Sequence, residues 1–144
     1  MIRAIAVGTD GSETATKAVE FAIDLAQRYG ARLVVISSYQ PISAARVERE
    51  RGGAPEDIQW TISPHEEVDA IMSAVKARAQ AAGVVTTTLA SEGDPADVLI
   101  MHAEDQGVDM LVVGNKGMQR RVLGSVPNTV THRASCTVVV VKTT

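Results

Sequence analysis

Short apolar runs alternate with helical patterns along the whole 144-residue chain, and that alternation leaves few folds open. Ile2 to Val7 reads as a strand that ends at Gly8-Thr9-Asp10-Gly11-Ser12. Ser12 suits a helix N-cap, and Ala15, Ala18, Val19, Ala22, Ile23 and Ala26 then follow helical spacing until Gly30 closes the element. Arg32 to Ser38 holds a second buried strand, Leu33-Val34-Val35-Ile36. Two parallel strands joined by a helix make a right-handed crossover unit. After the long segment Tyr39 to Ile62, Ser63-Pro64-His65-Glu66 reads as a capping box. Val68, Ile71, Met72, Val75, Ala79 and Ala82 carry the stripe of that second helix to Gly83. Val84 to Ala90 is a threonine-rich strand, more polar than the others and so expected nearer a sheet edge. Asp94-Pro95-Ala96-Asp97 opens a third helix whose inner face carries Ala96, Leu99, Ile100 and Ala103. Met110 to Val113 is a fourth strand, Ser125 is expected to cap a short helix with Pro127 in its first turn, and Cys136 to Val141 is the last strand.

Five strands and four helices in strict alternation predict one α/β domain over residues 1–144. The expected architecture is a doubly wound, Rossmann-like parallel sheet in the order 3-2-1-4-5, with helices on both faces. A composition of 45% apolar but only 3% aromatic residues suits a core of Val, Ile, Leu and Ala between such layers. The formal charge of −3 and pI near 5.6 give the molecule no general attraction to nucleic acid or to an anionic membrane. No apolar run approaches the roughly 20 residues that cross a bilayer, and no signal-like segment precedes the first strand, so the expected compartment is the cytoplasm. Cys136 is the only cysteine, which excludes an internal disulfide and a multi-cysteine metal site; its apolar surroundings predict a buried structural thiol.

The candidate chemistry lies in Gly114 to Ser125, reading G-N-K-G-M-Q-R-R-V-L-G-S, between the fourth strand and the last helix. A strand that ends in glycines and passes to a helix start leaves backbone N–H groups at the positive end of a dipole, an arrangement that binds phosphate. Lys116, Arg120 and Arg121 add side-chain charge to the same loop. Taken alone, the stretch leaves two readings open, an anion cradle or a solvated turn. In the 3-2-1-4-5 order the loop after the first strand opens beside it, so Thr9, Asp10 and Gly11 would face Gly114, Gly117, Gly124 and Ser125 across one crevice. Asp10 is suited to accept from ribose hydroxyls or from a magnesium-bound water, and equally to be a turn aspartate that helps start the first helix.

These motifs together resemble the universal stress protein family in its nucleotide-binding form, through G-T-D-G-S, the long loop after the second strand, G-D-P-A-D, and V-V-G-N-K-G…L-G-S-V-P-N-x-V before V-V-V-V. The resemblance implies that Gly114 and Gly117 line the ribose and phosphate path and that Gly124, Ser125 and Val126 hold the phosphates. It also sets Asp10 at the nucleoside and the backbone of Ser38 at the adenine edge. The candidate binding set is therefore Gly8, Thr9, Asp10, Ser38, Gly114, Asn115, Gly117, Arg120, Arg121, Gly124, Ser125 and Val126. The implied ligand is an adenine nucleotide, ATP first and AMP or cyclic AMP as alternatives, with any Mg2+ held by the phosphates. One departure is the spacer Met118 to Leu123, about three residues and thus about 10 Å of extended chain shorter than is usual in the family. A homodimer through Thr137 to Val141 is likewise implied, and the β-branched run expected at a sheet edge agrees with it.

Other chemistries lack their residues. The chain has no G-x-x-x-x-G-K-[ST] and no G-x-G-x-x-G. His65, His102 and His132 sit in separate helical segments without metal-ligand spacing, which predicts solvent-facing or packing roles and no metal site. Asp94 could stand for the phosphoacceptor of a receiver domain, but Gly93-Asp94-Pro95 suits a helix cap better. With no general base evident beside the phosphates, binding is expected to be regulatory, with at most slow ATP hydrolysis. A nucleotide-free interaction dimer is the other reading left open.

Overall fold

The computed structural model describes residues 1–39, 64–115 and 124–142. In chain order the elements are β1 (Ala4–Gly8), α1 (Glu13–Tyr29), β2 (Arg32–Tyr39), α2 (Pro64–Ala81), β3 (Thr86–Glu92), α3 (Pro95–Asp105), β4 (Met110–Asn115), α4 (Ser125–Arg133) and β5 (Thr137–Lys142). The sheet is parallel throughout and ordered β3-β2-β1-β4-β5, as the alternation predicted. Val7 pairs with Val35 on one side and Val112 on the other, so the three central strands run through the middle of the core.

Two apolar layers follow from the two-residue period of the strands. Ile5, Val7, Leu33, Val35 and Val112 face α1 and α2, while Ala4, Ala6, Val34, Ile36, Leu111 and Val113 face α3 and α4. Ile5, Val7, Leu33, Ile36 and Leu111 are wholly buried, each worth roughly 1.5–3 kcal/mol relative to exposure. The inner stripes read from sequence are the buried ones: Ala15, Ala18, Val19, Ala22, Ile23 and Ala26 in α1, and Ala96, Leu99, Ile100 and Ala103 in α3. Ion pairs join the helices on each face, Arg78 to Glu20 at 3.3 Å and Arg133 to Asp97 at 2.7 Å, but their exposure makes them minor contributors.

Both ends of α1 and the start of α3 follow the local signals. Ser12 Oγ accepts from Ala15 N–H at 3.2 Å, and Gly30 closes α1 in the left-handed region. Asp94 caps α3 by accepting from Asp97 N–H at 3.2 Å, which is the cap reading of that aspartate. Ser63, proposed as the cap of α2, lies outside the described residues, as does most of the segment from Tyr39 to Ile62.

Strand boundaries needed correction. β3 runs Thr86–Glu92, two residues later than Val84 to Ala90, because the amide of Val84 is spent on the Ala79 carbonyl at the end of α2 (3.0 Å). β5 runs Thr137–Lys142, so Cys136 lies just outside it, half-buried instead of buried. Burial still pushes its thiol up, which keeps it protonated and unreactive at neutral pH. β1 runs Ala4–Gly8 and not Ile2 to Val7: its ladder with β2 begins at the Ala4–Arg32 pair, and the amides of Arg3 and Ala4 both turn to the Asp109 carboxylate.

That carboxylate fastens the central strand. Asp109 Oδ2 accepts from Arg3 N–H at 2.8 Å and Ala4 N–H at 3.0 Å, and Asp109 N–H donates back to the Ala4 carbonyl at 2.9 Å. The bonds from Arg3 and then Ala4 hold its carboxyl below its ordinary value of 3.8. A depressed folded value stabilises the fold above the unfolded value and is lost as pH falls through the folded one. Asp109→Ala should therefore be less stable than the parent at pH 7 and 5, with the gap closing below about pH 4. Urea unfolding across that range would test this; a gap of constant size down to pH 2 would overturn it.

Candidate functional site

β1 and β4 are neighbours, but the chain leaves them toward opposite faces, α1 on one and α4 on the other. The sheet order reverses between them, and the loops that leave their carboxyl ends must part. A cavity of about 310 Å³ lies in that gap. Gly8, Thr9, Asp10, Ser38, Gly114, Gly124, Ser125 and Val126, eight of the residues singled out from sequence, all line it. Asn115 lies beneath the surface, and Gly117, Arg120 and Arg121 fall outside the described residues together with Lys116 and the rest of the spacer Met118 to Leu123.

The loop after β1 is shaped by its own polar groups. Thr9 N–H donates to the Ile36 carbonyl at 3.0 Å, and the Thr9 carbonyl accepts from the buried Ser37 hydroxyl at 2.7 Å, so the loop is anchored to β2. Thr9 Oγ1 accepts from Gly11 N–H at 3.1 Å, and Asp10 Oδ1 from Ser12 N–H at 2.9 Å. Asp10 thus takes part in the turn and also borders the cavity; it is the only charged residue among the described lining residues.

The opposite wall is the start of α4. Its N-cap is Gly124, with no side-chain cap, and Ser125 is the first helical residue; the expectation that Ser125 caps this helix is corrected. The physical reason is Asn115. Its wholly buried side chain accepts from Gly124 N–H at 2.8 Å, which holds the helix start against the tip of β4 with Gly124 as the N-cap. A Cβ on Gly124 would lie 3.2 Å from that same Oδ1, tighter than ordinary contact. The first amides of α4, at Ser125 and Val126, have no partner within the helix and sit at the positive end of its dipole, beside the cavity.

The remaining lining was not singled out from sequence as site residues. Thr14 and Ala15 come from the first turn of α1, Ile36, Ser37 and Val113 from the strands, Pro95 and Leu99 from α3, and Pro127 from α4. Most are apolar, and in sequence they carry only the periodicity of core residues. His102, expected to face solvent or pack, pairs with Ser91 Oγ at 2.8 Å between α3 and β3. Among the described residues no three or more of His, Cys, Asp and Glu come together as a metal site, and no helix is long and apolar enough to cross a membrane.

Sheet order, layers and crevice define a doubly wound α/β domain whose binding cleft sits where the strand order reverses. The profile of the universal stress protein family matches residues 1–142, and the chain belongs to that family. It is 32% identical over 146 residues to universal stress protein Rv1636 of Mycobacterium tuberculosis, covering 99% of this chain and 97% of that one. Universal stress protein YxiE of Bacillus subtilis is 29% identical over 157 residues, covering 99% of this chain and all of the relative. Among solved structures, a universal stress protein in complex with cAMP superposes with a TM-score of 0.75 at 30% identity, covering 99% of this chain and 98% of that one.

Proposed function

We propose that the crevice binds an adenine nucleotide as a regulatory ligand and not as a substrate for turnover. The observation that carries this reading is the division of one cavity into two chemistries. An apolar wall from Ile36, Leu99 and Val113 suits the face of a base, and the start of α4 at Ser125 and Val126, which has no side-chain cap, suits a phosphate. Thr9 and Asp10 lie where a ribose would join the two. The size of the cavity, about 310 Å³, lies at the lower end of the range for small-molecule sites. The cAMP complex of the similar structure supports the class of ligand.

ATP is the nucleotide that the glycine motif favours, with Mg2+ held by its phosphates; the short spacer and the cAMP-bound relative favour AMP or cyclic AMP. Isothermal titration with all three, with and without magnesium, separates these. Binding should be weakened at least tenfold in Gly114→Val, because Gly114 lines the cavity and the change adds bulk there. Absence of heat with every nucleotide would replace this reading by a nucleotide-free interaction module. The reading places the protein in the cytoplasm as a homodimer through Thr137 to Val141. β5 is an edge strand whose four valines are half-buried, and sedimentation of the same preparation as a monomer would remove the dimer.

A further inference from the structure

β1 alternates large and small residues: Ile5 and Val7 face one layer, whereas the other side of the strand carries only Ala4, Ala6 and then Gly8. The small row leaves space for α3, and at Gly8 that space is filled. A Cβ built on Gly8 would lie 2.7 Å from Leu99 Cδ2, 3.1 Å from Cδ1 and 3.4 Å from Cγ. Gly8 does not have a positive φ, so the position requires glycine for room and not for backbone freedom. Leu99 is 6% exposed and, with Ile36, Val113 and Pro95, walls the cavity from the α3 side.

We propose that the Gly8–Leu99 contact sets the depth of the crevice, making this pair the determinant of how large a ring the site accepts; the inference rests on the nucleotide reading above. Leu99 seats its methyl groups where a side chain on β1 would otherwise stand, and the cavity has the depth that remains. Leu99 belongs to the packed layer of Ala96, Ile100 and Ala103 and also lines the cavity, so a methyl group added at Gly8 displaces it toward the cavity. The contact is with the end of a flexible side chain and not with backbone, so the fold survives the change and the cost falls on the ligand.

The test is a cycle of Gly8→Ala, Leu99→Val and the double variant, each checked for folding by thermal unfolding and titrated with AMP, cyclic AMP and their N6-benzyl and 8-bromo analogues. Gly8→Ala should weaken the parent nucleotides about tenfold or more, the usual effect of one misplaced methyl group in a fitted apolar pocket. The double variant removes about the volume that was added, and should return affinity to within about threefold of the parent. Leu99→Val alone should bind at least one bulky analogue more tightly than the parent protein does. Equal affinity of Gly8→Ala and parent protein, or a double variant no better than Gly8→Ala, would overturn the inference and leave the nucleotide reading intact. A parent protein that binds none of the nucleotides would overturn both.

Discussion

A Gly11→Ala variant should lose about 2–4 kcal/mol of folding stability, combining a left-handed backbone with overpacking. For a chain of this size that is a fall of roughly 5–15 °C in Tm. Gly11 has φ +79°, which an L side chain adopts only under strain, and an added Cβ would stand 2.6 Å from Ile71 Cδ1 and 2.9 Å from Cγ1. Ile71 belongs to α2, so the turn at the crevice is covered by a helix more than fifty residues later in the chain. Gly83 is the control. Its φ is +78°, but nothing lies within 4 Å of a Cβ there, so Gly83→Ala should cost only the backbone strain, about 1–2 kcal/mol. Thermal and urea unfolding of the two variants side by side isolates the crowding at Ile71. Equal losses would mean that α2 yields freely and does not press on the turn.

Asn115→Ala should damage stability and ligand binding together. The side chain is wholly buried at the tip of β4 and accepts the Gly124 amide at 2.8 Å, so its removal leaves that amide without its acceptor. Loss of such a buried bond costs about 1–3 kcal/mol. The same bond sets the start of α4 against β4, and the amides of Ser125 and Val126 take their positions from it. Nucleotide affinity should therefore fall at least tenfold, beyond the loss of stability, when measured at a temperature where the variant is fully folded. A variant that is destabilised but binds as the parent does would show that α4 is held in place by its apolar face, through Val130 and Pro127, and that Asn115 serves the fold alone.

Much of the fold was legible because its signals are local. Apolar runs a few residues long, separated by Ala- and Leu-bearing stripes with caps at Ser12 and Asp94, permit little but alternating strands and helices, and a parallel sheet of such units has few allowed orders. Where a boundary was misread, a contact distant in sequence or an amide already in use was responsible. Asp109 holds the amides of Arg3 and Ala4, Ala79 takes that of Val84, and Asn115 holds Gly124 at the N-cap position one residue before Ser125. Asp109 lies more than a hundred residues from Arg3, whereas Ala79 and Asn115 are near in sequence but form their bonds only through the built helix end and strand tip.

The crevice divides along the same line. Gly8 to Asp10, Gly114 and Gly124 to Val126 could be found from the sequence, since a segment that must turn tightly or present backbone to a ligand is rich in glycine and short polar residues. Leu99, Ile36, Val113 and Pro95 could not, because an apolar residue that walls a cavity has the same periodicity as one that fills a core. By itself the sequence determined the alternation of elements, the strand order, the family and the two segments, Gly8 to Asp10 and Gly124 to Val126, that line one crevice. Only the tertiary structure decided how deep the crevice between them is, which amide Asn115 holds, and that Ile71 and Leu99 stand where Gly11 and Gly8 have no side chains. Those facts depend on distances between segments far apart in the chain, and local pattern does not encode such distances.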